Sequence, residues 1–508
     1  MTGRRAWPSD AEEIARVLAA SGRPWVWFDG AAAAPGEPRV SYLGVASELR
    51  IAETGLEREF LAGLRAAPGA AAVTTAVPGL QSGWAVALAY EFGVALLDPV
   101  AGGDLGDGGR GGGGRPTGIG GAADGDCDEG PAGAPGFALR LDGVLAIDHD
   151  RGAVEPRGDT SELAALLGPA SLGSGPYLGP ESPDCSEASA SSETSAGSER
   201  SAGSEATAVP AAAGSDCAAR PGPSAAAPRW RRTDAAYAAE VEACRSAIRD
   251  GEAYVLCLTD TAEMRGDFDP LELFLRLRAG GGAVRGGVIV AGDRALVSAS
   301  PERFLSARGR RILTHPIKGT RPRGATPDAD AALAAQLASD PKERAENLMI
   351  VDLMRNDLSR VCEVGSVGVE GFLRVETHPH VHQLVSTVGG ELRAGRDVFD
   401  AIETCFPGGS MTGAPKRRAV EILRQLEGAP RGLYAGCFGW VDDGGDAELA
   451  MTIRSVELRA GGAGPGAARI GAGGGVTADS DPERETAEKH LKAAPLLAAL
   501  APREPRSR

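Results

Sequence analysis

Two long stretches of this 508-residue chain lack the means to fold alone, and they decide how the rest can be arranged. Residues 101–136 are dominated by Gly and Asp, and residues 170–228 by Ser, Ala, Gly, Pro and Glu. Neither holds enough apolar area to offset the entropy of ordering, so both are expected to be disordered. Gly and Pro, 72 and 34 residues, reach about a fifth of the chain, close to where low-complexity sequence begins. Between the two stretches, residues 137–156 alternate apolar and polar side chains as a strand does. The first stretch is therefore read as an insertion and the second as a linker. The division expected is an N-terminal domain over 1–165 with a glycine-rich insertion at about 101–136, a linker over 166–229, and a catalytic domain over 230–503.

The formal charge of −16, from 53 basic and 69 acidic residues, argues against capture of nucleic acid or of an anionic membrane surface. The longest apolar window, residues 83–97, is too short to span a bilayer and carries Glu91. Residues 1–8 hold the pair Arg4-Arg5 and no apolar run of a secretory leader, so a cytoplasmic location is expected. The eight cysteines show no close C-x-x-C spacing and are read as reduced thiols. Apolar residues at Tyr237, Val241, Cys244 and Ile248 predict a helix over 234–250, ended by Gly251. Similar spacing predicts helices over 343–360 and from Pro415 to Leu426. Strands are expected over 283–297, 310–314, 437–441, 448–458 and 467–476. Without strict strand–helix alternation the pattern favours an α+β fold, and no internal repeat is visible.

Several residue patterns can carry chemistry. Glu343 and Glu346 share a helix face, as do Glu485 and Glu488, with Lys492 one turn beyond. Two such faces brought together would make an oxygen-rich site for Mg²⁺, although a lone glutamate pair is far more often solvated surface. Lys318 stands between Pro316 and Gly319 and is either a surface lysine in a basic loop or a nucleophile. A nucleophile must shed its proton, which burial and the neighbouring Arg321 and Arg323 would favour. Gly471, Gly473 and Gly474, in the run 471–475, would let backbone N–H groups approach an anion. Arg454, among apolar neighbours on a predicted buried strand, is equally a structural salt bridge or a clamp for a substrate carboxylate. His378, His380 and His382 would share one face of a strand as possible metal ligands, with no fourth ligand evident.

In chain order these residues form a set. Ser300-Pro301-Glu302-Arg303-Phe304, Pro316-Ile317-Lys318-Gly319-Thr320, RAENLMIVDLMRND at 344–357, VHQLVSTV at 381–388, FPGGSMTGAPK at 406–416, TIRS at 452–455 and GAGGGVTADSDP at 471–482 resemble the chorismate-utilising enzymes. Among them the aminodeoxychorismate synthase component I group is nearest. The likeness is strong over about 230–500 and faint over the first hundred residues. It implies a two-lobed α+β fold of large antiparallel sheets flanked by helices. It further implies a transaminase-type transfer of nitrogen to chorismate, giving 4-amino-4-deoxychorismate for p-aminobenzoate and folate. In that group the lysine of the PIKGT motif attacks C2 as the C4 hydroxyl leaves, so Lys318 is implied as nucleophile and Glu302 as general acid and base. Carried over likewise, Glu346 and Glu488 hold Mg²⁺ with Glu343 and Glu485 in support, while Arg454, Thr412, Lys492 and the glycine run hold chorismate. No Cys-His-Glu glutaminase pattern is recognisable, so the ammonia is expected from a glutamine amidotransferase partner.

The chain also departs from its relatives. Anthranilate synthases carry PIAGT and a histidine before Leu-Val-Ser, where this chain has Lys318 and Gln383. Gly30-Ala31-Ala32 and residues 281–285 replace motifs of tryptophan-sensitive relatives, which makes tryptophan binding unexpected. Trp440 replaces a frequent tyrosine and keeps an aromatic wall. The alternatives are an anthranilate synthase component I, another chorismate-aminating or isomerising enzyme, or a non-catalytic binder of chorismate or of a partner.

Overall fold

The computed structural model describes residues 10–32, 36–65, 79–97, 134–168, 227–281, 283–378, 381–462 and 464–501. The disorder expected of 101–136 and 170–228 falls almost wholly outside these residues, as does His380.

Two large antiparallel sheets dominate the described residues. The first has eleven strands and runs Gly413–Ala414, Val255–Arg265, Ala467–Val476, Ser455–Arg459, Arg294–Ser300, Arg285–Ala291, Trp25–Asp29, Val40–Val45, Gly143–Asp148 and Ala153–Gly158, with Arg229–Trp230 added on Val255–Arg265. The second has ten, from Ile317–Pro322 through Val381–Glu391, Arg311–His315, Arg303–Arg308, Ala447–Met451, Cys437–Asp442, Gly83–Leu88 and Gly136–Leu141 to Glu48–Ile51, with Gly368–Thr377 beside Val381–Glu391. Strands from before residue 165 and from after residue 230 share both sheets, so the low-complexity segment divides the sequence without dividing either sheet.

Strands with apolar residues on both faces explain the layering. In Gly83–Leu88, Ala85 and Ala87 pack with Val26, Phe28, Ile289, Leu296 and Phe438 between the sheets. The alternate residues Trp84, Val86 and Leu88 pack outward with the helices Tyr90–Leu97, Pro341–Ser359 and Val398–Cys405. Trp25 and Trp27 likewise point to a second outer layer, formed by Ala11–Ala20, Pro270–Ala279 and Pro482–Leu500. The result is two sheets face to face, each backed by helices.

The helix expectations hold: Asp234–Arg249, Pro341–Ser359 and Lys416–Glu427 are observed, the last ended by Gly428 in the left-handed region at φ 60°. Two strand expectations need correction. Residues 283–297 form a hairpin, Arg285–Ala291 and Arg294–Ser300, turning at Gly292 with φ 67°. Residues 448–458 are two strands, Ala447–Met451 and Ser455–Arg459, that belong to different sheets. The chain crosses between sheets at 452–454, and Arg454 makes the crossing in the left-handed region at φ 52°. That conformation breaks the alternation on which a single buried strand was inferred.

Candidate active site

The crossing at Arg454 sits beside a glycine floor. Val255–Arg265 pairs with Ala467–Val476 so that Cys257 faces Gly475 and Leu258 faces Gly474. A Cβ at Gly474 would stand 2.9 Å from Glu485 Oε2 and 3.7 Å from Glu488 Oε1, and one at Gly475 would stand 3.7 Å from Lys318 Nζ. These two glycines leave the floor open to the helix Pro482–Leu500 on one side and to Lys318 on the other. Gly473 is fixed by the close approach of the Leu258 carbonyl, and its own carbonyl accepts from Lys492 Nζ at 2.8 Å. Gly471 does not join them, because a Cβ there would collide with the ring of Tyr434, which covers it.

Lys318 is half-buried on the edge strand Ile317–Pro322 and, among the described residues, has no hydrogen-bond or ion-pair partner. Its expected cationic neighbours point elsewhere: Arg321 pairs with Asp340 at 2.8 Å and Arg323 with Asp330 at 2.7 Å. Lys318 faces carboxylates instead, lying within electrostatic reach of Glu302 and Glu488. Glu302 is buried, on the short link between Arg294–Ser300 and Arg303–Arg308, where its carbonyl accepts from Met451 N at 3.0 Å. Burial pushes its carboxyl above the ordinary range, against the pull of the Ser410 hydroxyl and of Lys318 and Lys492. A carboxylic acid raised in this way can keep a proton to give.

Arg454 is half-buried, and its guanidinium donates to the Lys492 carbonyl at 3.1 Å. No carboxylate of the described residues lies within ion-pair distance of it, and burial pulls its pKa down. An unneutralised guanidinium on a strained backbone fits a waiting anion site and not a structural salt bridge. Thr412 behaves otherwise than expected. Its buried hydroxyl turns back on the carbonyls of Gly408 and Gly409 at 3.2 and 3.3 Å, so it closes the 406–416 loop and offers no free side-chain contact.

A cleft of about 710 Å³ separates the helices Pro341–Ser359 and Pro482–Leu500, and Glu346, Glu485 and Glu488 line it. Lys492 Nζ lies 2.7 Å from Glu488 Oε1, and the Ser480 hydroxyl donates to Glu485 at 2.7 Å. Burial raises the pKa of Glu485, and Glu488 raises it further; burial and Glu346 do the same for Glu343. Glu343 lies at the edge, 3.5 Å from Arg321. Lys342, 3.7 Å from Glu346, answers the field of all four glutamates, which outweighs its partial burial and raises its pKa. Among the described residues no three acidic, histidine or cysteine side chains converge into a closed metal cage. An ion that keeps waters and takes part of its shell from a substrate needs none, and an excess of hard oxygens on two facing helices suits Mg²⁺.

Among the described residues, His378 and His382 do not converge on a metal site. His382 Nε2 meets Asp330 at 2.8 Å and Nδ1 meets Thr377 at 2.9 Å, while His378 lies 3.7 Å from Glu376. They tie a hairpin to the helix Pro327–Ser339. Trp440 lies away from the cleft, on a cavity of about 130 Å³ between the sheets that Gly30, Val284 and Arg285 also line. Three separate departures seen in the sequence thus meet in one place. There Arg285 is held by Glu37 at 2.8 Å and by Glu448 at 3.0 Å.

Other contacts of the site gave no sequence signal, although Asp357, Ser410 and Lys416 lie within the motifs at 344–357 and 406–416. Arg431 is buried, donates to the Met411 carbonyl at 2.7 Å and to the Cys257 carbonyl at 2.9 Å, and pairs with Glu427 at 2.7 Å. Lys416 pairs with buried Asp357 at 2.6 Å and donates to the Cys405 carbonyl at 2.7 Å. Together they fix the loop that carries Ser410. The Glu427–Arg431 pair straddles a helix end at Gly428, which hides its i, i+4 spacing. Only Lys342 could have been found, from its place one residue before Glu343.

A family model described as chorismate binding enzyme matches residues 181–498. An aminodeoxychorismate synthase of Streptomyces griseus is 48% identical over 265 residues, 52% of this chain and 36% of that protein. An anthranilate synthase component 1 of Halobacterium salinarum is 44% identical over 265 residues, 52% of this chain and 50% of that one. The chain thus spans half or less of the length of these relatives. The crystal structure of anthranilate synthase component I from Streptococcus pneumoniae superposes with a TM-score of 0.64 at 21% identity, covering 91% of this chain and 92% of that one. The menaquinone-specific isochorismate synthase MenF of Escherichia coli gives 0.63 at 16% identity, covering 97% and 91%. These two likenesses concern the fold. Among the described residues, no helix is long and apolar enough to cross a membrane.

Proposed function

This chain belongs to the chorismate-binding enzymes, and from that premise we propose that it aminates chorismate at C4 to 4-amino-4-deoxychorismate, as an aminodeoxychorismate synthase does. The observation that carries the reading is Lys318: an amine without a partner among the described residues, set against the glycine floor and within electrostatic reach of Glu302, whose carboxyl burial raises above its ordinary range. Chorismate is a dianion. Arg454 would take one carboxylate and orient the ring, with Lys492 adding positive charge beside it. Glu346 and Glu488, supported by Glu343 and Glu485, would hold Mg²⁺, which when bound neutralises and fixes the second carboxylate.

Lys318, as the free amine, would bond to C2 while both ring double bonds shift, C1=C2 to C1=C6 and C5=C6 to C4=C5, and the C4–O bond breaks. The departing oxygen takes the proton of Glu302 and leaves as water. Ammonia then bonds to C4, both double bonds shift back as the bond from C2 to Lys318 breaks, and the surplus proton returns to Glu302. The sum is chorismate plus ammonia giving the amino product and water. This is displacement by ammonia and not transamination, since no amino group is exchanged for a carbonyl. A glutamine amidotransferase partner would supply the ammonia.

The second reading is an anthranilate synthase component I, favoured by the 44% identity to the Halobacterium salinarum relative. Lys318 speaks against it, because attack at C2 by the protein leaves no place there for ammonia. Incubation with chorismate, Mg²⁺ and ammonium decides. The expected product has the mass of aminodeoxychorismate and yields p-aminobenzoate when a lyase is added. Anthranilate as main product would overturn the choice, and chorismate bound without turnover would point to a non-catalytic binder.

A further inference from the structure

On one face of the first sheet four charged side chains meet in register. Arg294 lies directly opposite Arg459, and Glu457, two residues before Arg459, lies opposite Arg469. Strand alternation puts all four on the face of Leu296, which packs against the second sheet. Charge in that layer needs an answer, and two cations directly opposite one another repel. Glu457 answers one of the three guanidiniums, pairing with Arg459 at 3.0 Å while it accepts from Leu433 N at 3.2 Å. Among the described residues neither Arg294 nor Arg469 has a carboxylate within ion-pair distance. Each makes one long hydrogen bond, to the Ala134 carbonyl at 3.4 Å and to the Pro430 carbonyl at 3.5 Å. These side chains line a cavity of about 180 Å³, roughly the space of six waters in the liquid. The helices Glu57–Leu64 and Tyr90–Leu97 bring the opposite charge to the same cavity. Glu57, 5% exposed, accepts from the Gly55 amide at 3.0 Å and, among the described residues, has no cation within ion-pair distance. Glu91 accepts from the amides of Arg431 and Gly432 at 2.7 and 3.1 Å. Both signs are therefore present and unpaired, with open space between them.

We propose that this cavity binds a small zwitterion, an α-amino acid with an apolar side chain, whose carboxylate spans Arg294 and Arg469 and whose ammonium group meets Glu57. The cavity shares no lining residue with the cleft that holds Glu346 and Glu488, so the inference stands apart from the amination reading. A zwitterion is the class that satisfies both signs at once. An anion alone would lie in the field of Glu57, Glu91 and Glu457, and a cation alone in that of the three arginines. The six charges sum to zero and favour a ligand without net charge. Both oxygens of Glu91 are taken by amides, and burial pushes its carboxyl above the ordinary range, which leaves Glu57 to receive the ammonium group. The planar forks of two guanidiniums suit a carboxylate. Phe137, Pro135 and Pro430 give the side chain an apolar wall.

The test is calorimetric titration of the full chain with L-leucine and L-phenylalanine, and with the two single-charge analogues of leucine, isocaproate and isoamylamine. At least one of the amino acids is expected to bind at one site per chain, and each analogue about tenfold or more weaker than leucine. Arg469→Met and Glu57→Gln should each weaken amino-acid binding about tenfold or more, with chorismate affinity within about twofold of the natural value. Arg294→Met should weaken it likewise while the melting temperature of the ligand-free protein stays level or rises, because a cation opposite Arg459 is removed. A purely structural arginine would lower that temperature. Should Arg469→Met or Glu57→Gln fail to fold, Arg294→Met and the analogues decide. No binding of either amino acid at millimolar concentration overturns the site and leaves a gap filled by solvent. Isocaproate binding as tightly as leucine overturns the zwitterion in favour of a plain anion. Binding unchanged in all the variants overturns the location and moves the amino acid elsewhere, such as the cavity that Trp440 lines.

Discussion

Replacing Arg454 with glycine separates its two possible roles, because a clamp predicts little change in stability with a large loss of binding, and a structural residue predicts the reverse. In the free protein the side chain sits at φ 52°, where an L-residue is strained by about 1–2 kcal/mol, and its guanidinium is partly desolvated with no counter-charge among the described residues. Arg454→Gly removes both burdens. It gives up the hydrogen bond to the Lys492 carbonyl, about 1 kcal/mol, and adds about 0.5–1 kcal/mol of chain entropy to the unfolded state. These contributions cancel to within about 1 kcal/mol, which for a chain of this size moves the melting temperature by only a few degrees. Binding suffers differently. Truncating one member of a buried, hydrogen-bonded charge pair costs about 2–5 kcal/mol, so chorismate affinity should fall about thirtyfold or more. Thermal denaturation of the free protein and calorimetric titration with chorismate measure the two effects. A large loss of melting temperature with affinity intact would make Arg454 a structural residue and refute the clamp.

Lys318→Ala is expected to abolish amination while Mg²⁺ still raises the melting temperature, and Lys318→Arg should not restore turnover, since a guanidinium keeps its proton; retained turnover in either would remove the lysine from the chemistry. Glu302 is raised by burial, so its folded form holds the proton more tightly than its unfolded form, and its ionisation destabilises the protein as pH climbs above the ordinary carboxylate range. Glu302→Gln should therefore match the natural protein in stability near pH 4, exceed it at pH 8, and lose most of its turnover, whereas equal stability across that range would deny the shift. Glu346→Gln should remove the melting-temperature gain from Mg²⁺ without lowering the stability of the metal-free protein, because it relieves repulsion with Glu343.

How much of this was legible in the sequence differs between elements for physical reasons. The helices over 234–249 and 341–359 announce themselves by apolar spacing and caps, which are local properties. The strand Gly83–Leu88 reads as an unbroken apolar run, and only the structure reveals that its two faces serve two different cores. The run 448–458 was misread because nothing local distinguishes a strand that continues from one that crosses between sheets at a left-handed residue. The site divides in the same way. The shared helix faces of Glu343 with Glu346 and of Glu485 with Glu488 were legible because i, i+3 spacing on a helix is a property of the helix alone. The pairing of Lys416 with Asp357 and the bonds of Arg431 to the Met411 and Cys257 carbonyls were not legible, since each joins groups far apart in sequence.

Thr412 and Gly471 show the converse error. Both lie in motifs that point to a substrate, yet the hydroxyl of Thr412 is consumed in closing its own loop, and Gly471 is small because Tyr434 lies on it. A motif records which residues a site requires without recording which of them face the ligand. Among the described residues, Lys318 and the hydroxyl of Thr452 have no hydrogen-bond partner, and the guanidinium of Arg454 has no counter-charge within ion-pair distance. Two of them come from a single three-residue crossing between the sheets. That crossing sets a strained cation and an unpaired hydroxyl two residues apart. The cost falls on residues 452–454 themselves, whose stability the surrounding sheets must supply.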